Sequence, residues 1–410
     1  MWSIAAVTIA GILFRPRDWP EAVWACIGAG LLVLAGALTP LAAWKAARKG
    51  TDVYLFLAGM MLLSELARRE GVFDWLASHA VRAARGSRSR LFALIYGVGI
   101  LVTVLLSNDA TGVVLTPAVY AAVKKARTDA LPYLLSCAFI ANAASFVLPI
   151  SNPANLVVYG KQLPPLFPWL KVFLLPSLAS IVVTFAVLRL ISRRDLGGKT
   201  EDGSEVTTLT PEGRRAAWGM ALAAVVLISA SVLGLDLGLP TFAAAVIAIV
   251  FTVRVNGNAM SAIAGAVSWS VLPMVAGLFI LVEALNAAGA LRDMGAAMKT
   301  CSQLSPLAGS VSASFGVALL SNVMNNLPFG LLAGSVLQTG AFPNYIRTAV
   351  LIGVDLGPNL SVTGSLATIL WLIALRREGE HVSVWTFFKV GALVMPPALL
   401  LTGAILVLGS

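Results

Sequence analysis

The stretch LLSNDATG, residues 105–112, places serine, asparagine, aspartate and threonine in the middle of an apolar run that covers about 91–123. A second apolar run, about 305–338, carries Ser321-Asn322 and Asn325-Asn326 at its centre. A polar cluster halfway along an apolar helix is unfavourable in contact with lipid, because no water is present there to satisfy it. The two runs therefore predict re-entrant hairpins whose polar tips are buried in protein.

The composition of the whole chain indicates a membrane protein. Hydrophobic residues make up 58% of the 410 positions, charged residues make up 12%, and the mean hydropathy is +0.88. A soluble globular protein has about 25% charged residues. The net charge of +10 does not indicate nucleic-acid binding, because the basic residues lie in short loops between apolar segments, as in cytoplasmic loops of membrane proteins.

Apolar segments of about 20 residues, the length that spans a bilayer, recur along the chain. We predict an all-α polytopic membrane protein with about ten transmembrane helices and two re-entrant hairpins. The segments 131–160 and 345–375 contain Gly, Pro, Ser and Asn at their centres and are predicted to be broken helices. The predicted spans are about 2–14, 21–43, 52–67, 131–160 and 170–191, followed by about 215–235, 239–254, 269–287, 345–375 and 384–408.

The loop charges predict the orientation of the chain. With both termini outside and both hairpins non-crossing, most lysines and arginines fall on the inside, as the positive-inside rule requires. Five crossings in each half then predict two inverted repeats, residues 1–191 and 215–410, joined by a cytoplasmic linker at 192–214. The start, Met1 to Phe14, lacks a basic region and a cleavage site, and is interpreted as a retained helix.

Short matches between the halves support the repeat. Leu105-Leu106-Ser107-Asn108 recurs as Leu319-Leu320-Ser321-Asn322, and the same offset of 214 pairs Ser151 with Ser365. The segment 58–71 matches 276–289 at an offset of 218. Inverted repeats of this kind place a substrate site at the repeat interface, in discontinuous helices near the midplane of the membrane.

Four polar clusters are candidates for that site: 107–112, 151–155, 321–326 and 355–365. Each combines hydroxyl or amide side chains with Gly or Pro, which free backbone groups for a ligand. The alternative is hydrogen bonding between helices by small polar residues. The predicted substrate-binding residues are Asn108, Thr111, Asn152, Asn155, Asn322, Asn325, Asn326, Thr363 and Ser365.

Two carboxylates at membrane depth, Asp109 and Asp355, predict a proton-coupling role, because ionisable groups there are costly and usually functional. Neither is repeated at an offset of 214, which pairs Asp109 with Val323 and Asp355 with Ala141. Structural pairing with a distant basic residue is the alternative. Glu65 lies three residues before Arg68, and we expect an ion pair on the helix surface.

At these motifs the sequence resembles the arsenite/antimonite efflux permeases, the ArsB type, of the ion transporter superfamily. The similar residues are SNDATGVVLTP (107–117), NNLP (325–328) and DLGPNLSVTGSLATILWL (355–372). The resemblance implies a scaffold part and a transport part, the latter with both hairpins and both broken helices. It also implies a location in a bacterial-type inner membrane and export of trivalent arsenic or antimony hydroxide in exchange for protons, by alternating access.

The resemblance further implies two partners besides lipid: a soluble arsenite-stimulated ATPase, used by part of the family, and a second copy in a homodimer. No Walker A motif is present, so ATP use would come from outside the chain. An uncharged hydroxide suits amide and hydroxyl ligands without an arginine. A dicarboxylate is disfavoured, because an ionised Asp109 would repel it.

Other functions remain open at this point. A sodium/proton antiporter of the same superfamily would use the same carboxylates, and a channel or an anchor subunit for an ATPase would need no proton coupling. The sequence holds no triad, zinc or nucleotide motif, so we expect neither an enzyme nor a cofactor or metal site. The cysteines Cys26, Cys137 and Cys301 are far apart in sequence and do not suggest a thiol site.

Overall fold

The computed structural model describes residues 1–200, 207–254 and 257–408. Over these residues the regular structure is helical, apart from an isolated β-bridge between Ser87 and Lys199. The predicted all-α class is confirmed. Residues 201–206 of the predicted linker lie outside the described residues.

The first half contains ten α-helices. Pro, Gly and Ser residues punctuate them, because these residues cap or break a helix. The helices are α1 Trp2–Phe14, α2 Glu21–Leu34, α3 Pro40–Lys49, α4 Thr51–Arg69, α5 Val72–Ala84, α6 Arg88–Leu105, α7 Thr116–Lys125, α8 Leu131–Ala143, α9 Pro153–Tyr159 and α10 Leu166–Ile191.

The second half repeats this order of elements. Its helices are α11 Pro211–Val232, α12 Gly238–Val253, α13 Gly257–Ala266, α14 Val271–Ala287, α15 Ala290–Gln303, α16 Pro306–Met324, α17 Asn326–Thr339, α18 Asn344–Leu356, α19 Leu366–Arg377 and α20 Val384–Leu408. We refer to 88–125 as hairpin 1 and to 306–339 as hairpin 2. The pairs α8/α9 and α18/α19 are the first and second broken helices.

Equivalent caps start equivalent helices in the two halves. Ser87 Oγ accepts a hydrogen bond from the N–H of Arg90, and Ser305 Oγ accepts one from Ala308, which caps α6 and α16 in the same way. Gly71 and Gly289, with φ of 70° and 89°, precede α5 and α15. Glycine occupies a left-handed conformation without strain. All these pairs lie 218 residues apart.

Two features differ from the predicted spans. The segment predicted as a single helix over 21–43 is two helices, because Gly36 has a φ of 71° and Thr39 caps a new helix that begins at Pro40. The helices α5 and α15 were not predicted. Both have an apolar face and a polar face, so their hydropathy is too low for a membrane span.

The helices pack in two groups, and each group mixes the two halves. In the first group, α4 packs on α12, and α2 packs on α14. In the second, α10 packs on α20, and the hairpins and broken helices surround them. Within it, α17 of hairpin 2 packs on α9, while the return arm of hairpin 1 packs on α19. Each hairpin therefore contacts the broken helix of the other half.

The described helices fit a multi-pass membrane protein. Five helices are long and apolar enough to cross a membrane, and seven spans result if the bent pairs α3/α4 and α13/α14 each count as one. The bends are 49° and 42°. Four shorter apolar helices, α1, α2, α8 and α12, add to these.

Candidate functional site

The tip of hairpin 1 is closed by its own side chains. Ser107 Oγ accepts a hydrogen bond from the N–H of Ala110 at 3.1 Å, and Asn108 Oδ1 accepts one from the N–H of Asp109 at 2.9 Å. The half-buried Asp109 carboxyl makes no hydrogen bond or ion pair with another described residue. The carboxyl is therefore available for a proton or a ligand.

The chain folds back at this tip. Thr103 and Thr111 share a hydrogen bond of 2.8 Å between their hydroxyls, although a straight helix would separate them by about 12 Å. Residues Ala110–Leu115 form a π-helix, and Thr116 Oγ1 donates to the carbonyl of Thr111. Short π-helical segments are frequent at functional sites.

The tip of hairpin 2 is bonded instead to the second broken helix. Asn322 Nδ2 donates to the carbonyl of Gly357 at 2.8 Å, and Asn322 Oδ1 accepts from Ser361 Oγ at 2.5 Å. Thr363 Oγ1 donates to the carbonyl of Asn322, and Asn325 Nδ2 donates to the carbonyl of Thr363. Three predicted site residues, Asn322, Asn325 and Thr363, therefore meet here.

The break of the first broken helix is organised by Asn155. Its Nδ2 lies 2.9 Å from the carbonyl of Ser145 and 3.3 Å from the carbonyls of Leu148 and Pro149. Ser151 Oγ donates to the carbonyl of Val104 at 3.1 Å, which fixes this break to hairpin 1. These bonds satisfy backbone groups that the broken helix leaves free.

Asp355 is fully buried beside this first break. Asn152 Nδ2 donates to Asp355 Oδ1 at 2.8 Å, while Asp355 Oδ2 is buried without a hydrogen-bond partner among the described residues. The structure brings Asn152 and Asp355 together, but it shows no contact between Asp355 and Asp109. Ser365 caps α19 through the N–H of Ala367. Asn326 is buried and makes no side-chain hydrogen bond with another described residue.

Sequence reasoning missed two asparagines at the breaks. Asn142 Nδ2 donates to Asn359 Oδ1 at 3.0 Å, and Asn359 Nδ2 donates to the carbonyl of Phe139. Both side chains are at most 1% exposed. Asn359 and the missed Ser361 lie inside the quoted cluster 355–365, so a count of every polar residue there would have included them. Asn142 precedes its cluster and gave no such signal.

Helix boundaries correct the correspondence between the halves. Ser107 and Asn325 both cap the return arm of their hairpin, at an offset of 218, so Asp109 corresponds to Leu327 and not to Val323. The helices α8 and α18 start 213 residues apart, so Asp355 corresponds to Asn142 and not to Ala141. The offset of 214 does not align the helices of the two halves, because it was taken from identical residues and not from the residues at which equivalent helices begin.

A cavity of about 1150 Å³ reaches α9 at Leu156 and Val157, just after the first break, and none of the predicted site residues lines it. It lies between α3, α4 and α14 on one side and α9 and α17 on the other, so it separates the two helix groups. Its basic lining residues lie in α3 and just after α9, in segments that the predicted orientation assigns to the outside. The lining includes Lys45, Arg48, Lys49, Asp52, Leu156, Val157, Lys161, Asp236, Glu283, Leu331 and Ser335.

Two other helix carboxylates, Glu65 and Glu283, are ion-paired. Arg68 donates to both oxygens of Glu65, at 2.8 and 2.6 Å, which confirms the expected helix-surface pair. Glu283 had no partner nearby in sequence, and the structure gives it Lys49 at 2.7 Å. A coupling role is unnecessary for either group.

The family model described as "Citrate transporter" matches residues 9–378. An arsenical pump membrane protein of Yersinia enterocolitica is 28% identical over 99% of this chain and 97% of its own length. The arsenical pump membrane protein of Escherichia coli strain K12 is 27% identical with the same coverage. These relatives confirm the resemblance found in the motifs.

A solved structure has a similar fold. The YdaH transporter of Alcanivorax borkumensis has a TM-score of 0.57 and 16% identity, covering 92% of this chain and 87% of that one. An uncharacterized transporter of Mycobacterium tuberculosis H37Rv is 26% identical over 96% of this chain and 95% of its own length.

Proposed function

This chain belongs to the family described as citrate transporters, and from that premise we propose that it exports trivalent arsenic or antimony hydroxide in exchange for protons. Full-length relatives named arsenical pump membrane proteins support the substrate. The transporter works by alternating access in a bacterial inner membrane, with both termini outside.

The chemistry of the two breaks carries the proposal. Their polar groups are neutral amides, hydroxyls and backbone carbonyls, together with the two carboxyls of Asp109 and Asp355. Among the described residues, no lysine or arginine donates a hydrogen bond to these groups. Cationic donors would strengthen the binding of a citrate ion, whereas an uncharged trihydroxide is met by several neutral donors and acceptors.

The proton carriers follow from the same geometry. A carboxylate buried without a counter-charge is costly, and protonation removes the cost. We assign proton coupling to Asp109 and Asp355 on this ground. In the proposed cycle, protons and substrate compete, so that protons entering from outside drive the substrate outward. The cavity between the two helix groups supplies the outer route. Asn108, Thr111, Asn152, Asn155, Asn322, Asn325, Asn326, Thr363 and Ser365 are assigned to the polar lining.

Two associations stay predictions on which the mechanism does not depend. The first is coupling to a soluble ATPase, and the second is a homodimer.

Arsenite movement in proteoliposomes tests the proposal. The purified protein is reconstituted, a pH gradient is imposed, and arsenite accumulation is measured with and without sodium. We expect accumulation that depends on the pH gradient and not on sodium. Sodium-dependent proton flux without arsenite movement would instead identify a sodium/proton antiporter. Arsenite movement that does not depend on the pH gradient would identify a channel.

A further inference from the structure

The two broken helices are in strict structural register. The first arms, α8 and α18, are each 13 residues long, and they begin at Leu131 and Asn344. The 3₁₀ turns at Pro149–Ser151 and Val362–Gly364 are also 213 residues apart, as are the first residues of α9 and α19. The residues that cap these last helices, Asn152 and Ser365, keep the same offset. Position 142 is therefore equivalent to position 355.

Each of these equivalent residues contacts the break of the other half. Asp355 accepts a hydrogen bond from Asn152, in the first break, and Asn142 donates one to Asn359, in the second. The four side chains are at most 2% exposed. Because Asn359 lies one turn after Asp355, the two contacts are neighbours in a single buried polar layer between the halves.

Each equivalent residue also keeps one free acceptor. Asp355 Oδ2 and Asn142 Oδ1 are both buried, and neither has a hydrogen-bond partner among the described residues. Asparagine has nearly the shape of a protonated aspartic acid, so a carboxylic acid at position 142 would resemble the native side chain. Buried oxygens without partners are costly unless a proton or a ligand occupies them.

We propose that positions 142 and 355 are symmetry-related halves of one proton-coupling site, in which Asn142 is the neutral counterpart of Asp355. The proposal rests on the proton exchange put forward above. Asn142 orients the second break through Asn359, as Asn152 holds Asp355 beside the first. A carboxyl placed at 142 takes up and releases the coupling proton in place of the one at 355.

A relocation experiment tests this equivalence. Asp355→Asn is compared with Asn142→Asp/Asp355→Asn and with Asn359→Asp/Asp355→Asn, which adds a carboxyl in the same layer at a position that is not equivalent. Arsenite accumulation under a pH gradient is measured for each. We expect loss in Asp355→Asn, recovery with the carboxyl at 142, and no recovery with the carboxyl at 359.

The outcomes separate this inference from the proposed function. If the native chain and Asp355→Asn behave as expected and the carboxyl at 142 restores nothing, the equivalence is overturned while proton exchange stands. If the carboxyl at 359 also restores transport, the claim that recovery requires the position equivalent to 355 is overturned. If Asp355→Asn keeps full proton dependence, or the native chain shows none, the assignment of Asp355 fails, and the inference fails with it.

A second readout covers the case in which the double variant does not fold, as judged by size-exclusion elution. Asn142→Asp alone is then solubilised in detergent, and the protons released when arsenite binds are measured with a pH indicator. We expect more protons released per bound arsenite than from the native chain. An unchanged number overturns the proposal.

Discussion

The two hairpins contain the same tetrapeptide, LLSN, but the first helix of each hairpin ends at a different position relative to it. In hairpin 1, α6 ends at Leu105, and Ser107 caps the return arm. In hairpin 2, α16 continues through Ser321-Asn322 to Met324, and Asn325 is the cap. In each hairpin a side chain caps the return arm, but LLSN interrupts the helix only in hairpin 1, so identical residues do not ensure equivalent positions.

The difference extends to what each tip contacts. The tip of hairpin 1 is bonded within itself and leaves the Asp109 carboxyl without a partner. The tip of hairpin 2 is bonded to the second broken helix through Asn322 and Asn325, and the position equivalent to Asp109 is Leu327. This comparison supports the proposed proton coupling at tip 1 and shows that tip 2 connects hairpin 2 to the second broken helix.

The largest effect is expected from Asp109→Asn. Removing the carboxyl removes the titrating group of tip 1, and we expect arsenite accumulation to lose its dependence on the pH gradient. Leu327→Met, at the equivalent position of hairpin 2, conserves volume and should leave that dependence intact. Flux assays in proteoliposomes measure both. Full proton dependence in Asp109→Asn would contradict the assignment.

A smaller effect, on stability, is expected from Asn325→Ala. This change removes the cap of α17 and the bond to Thr363, and it places alanine at a φ of 73°. We expect a loss of about 2 kcal/mol in the free energy of unfolding.

Two variants check this estimate by denaturation in mixed micelles. Asn325→Gly removes the strain at positive φ and should recover part of the loss. Ser107→Ala removes the cap of the return arm of hairpin 1 at a residue without positive φ, and should cost about 1 kcal/mol. Equal losses for Asn325→Ala and Ser107→Ala would show that the connection made by tip 2 adds nothing.

The smallest effect is expected for hydroxyls in the first arms. Thr103→Val removes the hydrogen bond to Thr111 and leaves that hydroxyl without this partner, at a cost of about 1 kcal/mol. The equivalent residue of hairpin 2, Ser321, has a buried hydroxyl without a hydrogen-bond partner among the described residues. Ser321→Ala should therefore be neutral or stabilising. Thermal unfolding in detergent compares the two, and a larger loss in Ser321→Ala would reverse the comparison.

Much of the fold could be predicted because its signals are local. Apolar length predicted the membrane helices, and Gly or Pro beside Ser and Asn marked each interruption. The amphipathic helices α5 and α15 were not predicted, because their hydropathy is low and their apolar faces are stabilised only by contact with other helices. At the candidate site, Asp109, Asn322 and Thr363 were predicted from their polar clusters, whereas Asn142 was not, because it lies near the end of the mainly apolar helix α8 and outside those clusters.

The sequence by itself determined the membrane class, the helical fold, the family resemblance and the polar clusters of the candidate site. These follow from hydropathy and from residues that break helices, both of which act over a few positions. The tertiary structure alone decided which residues are equivalent in the two halves and which meet across them: Asp355 with Asn152, Asn142 with Asn359, and Lys49 with Glu283. The reason is that a hydrogen bond depends on the packing that brings its two groups within about 3 Å, and residues 203 to 234 positions apart in sequence carry no local record of that packing.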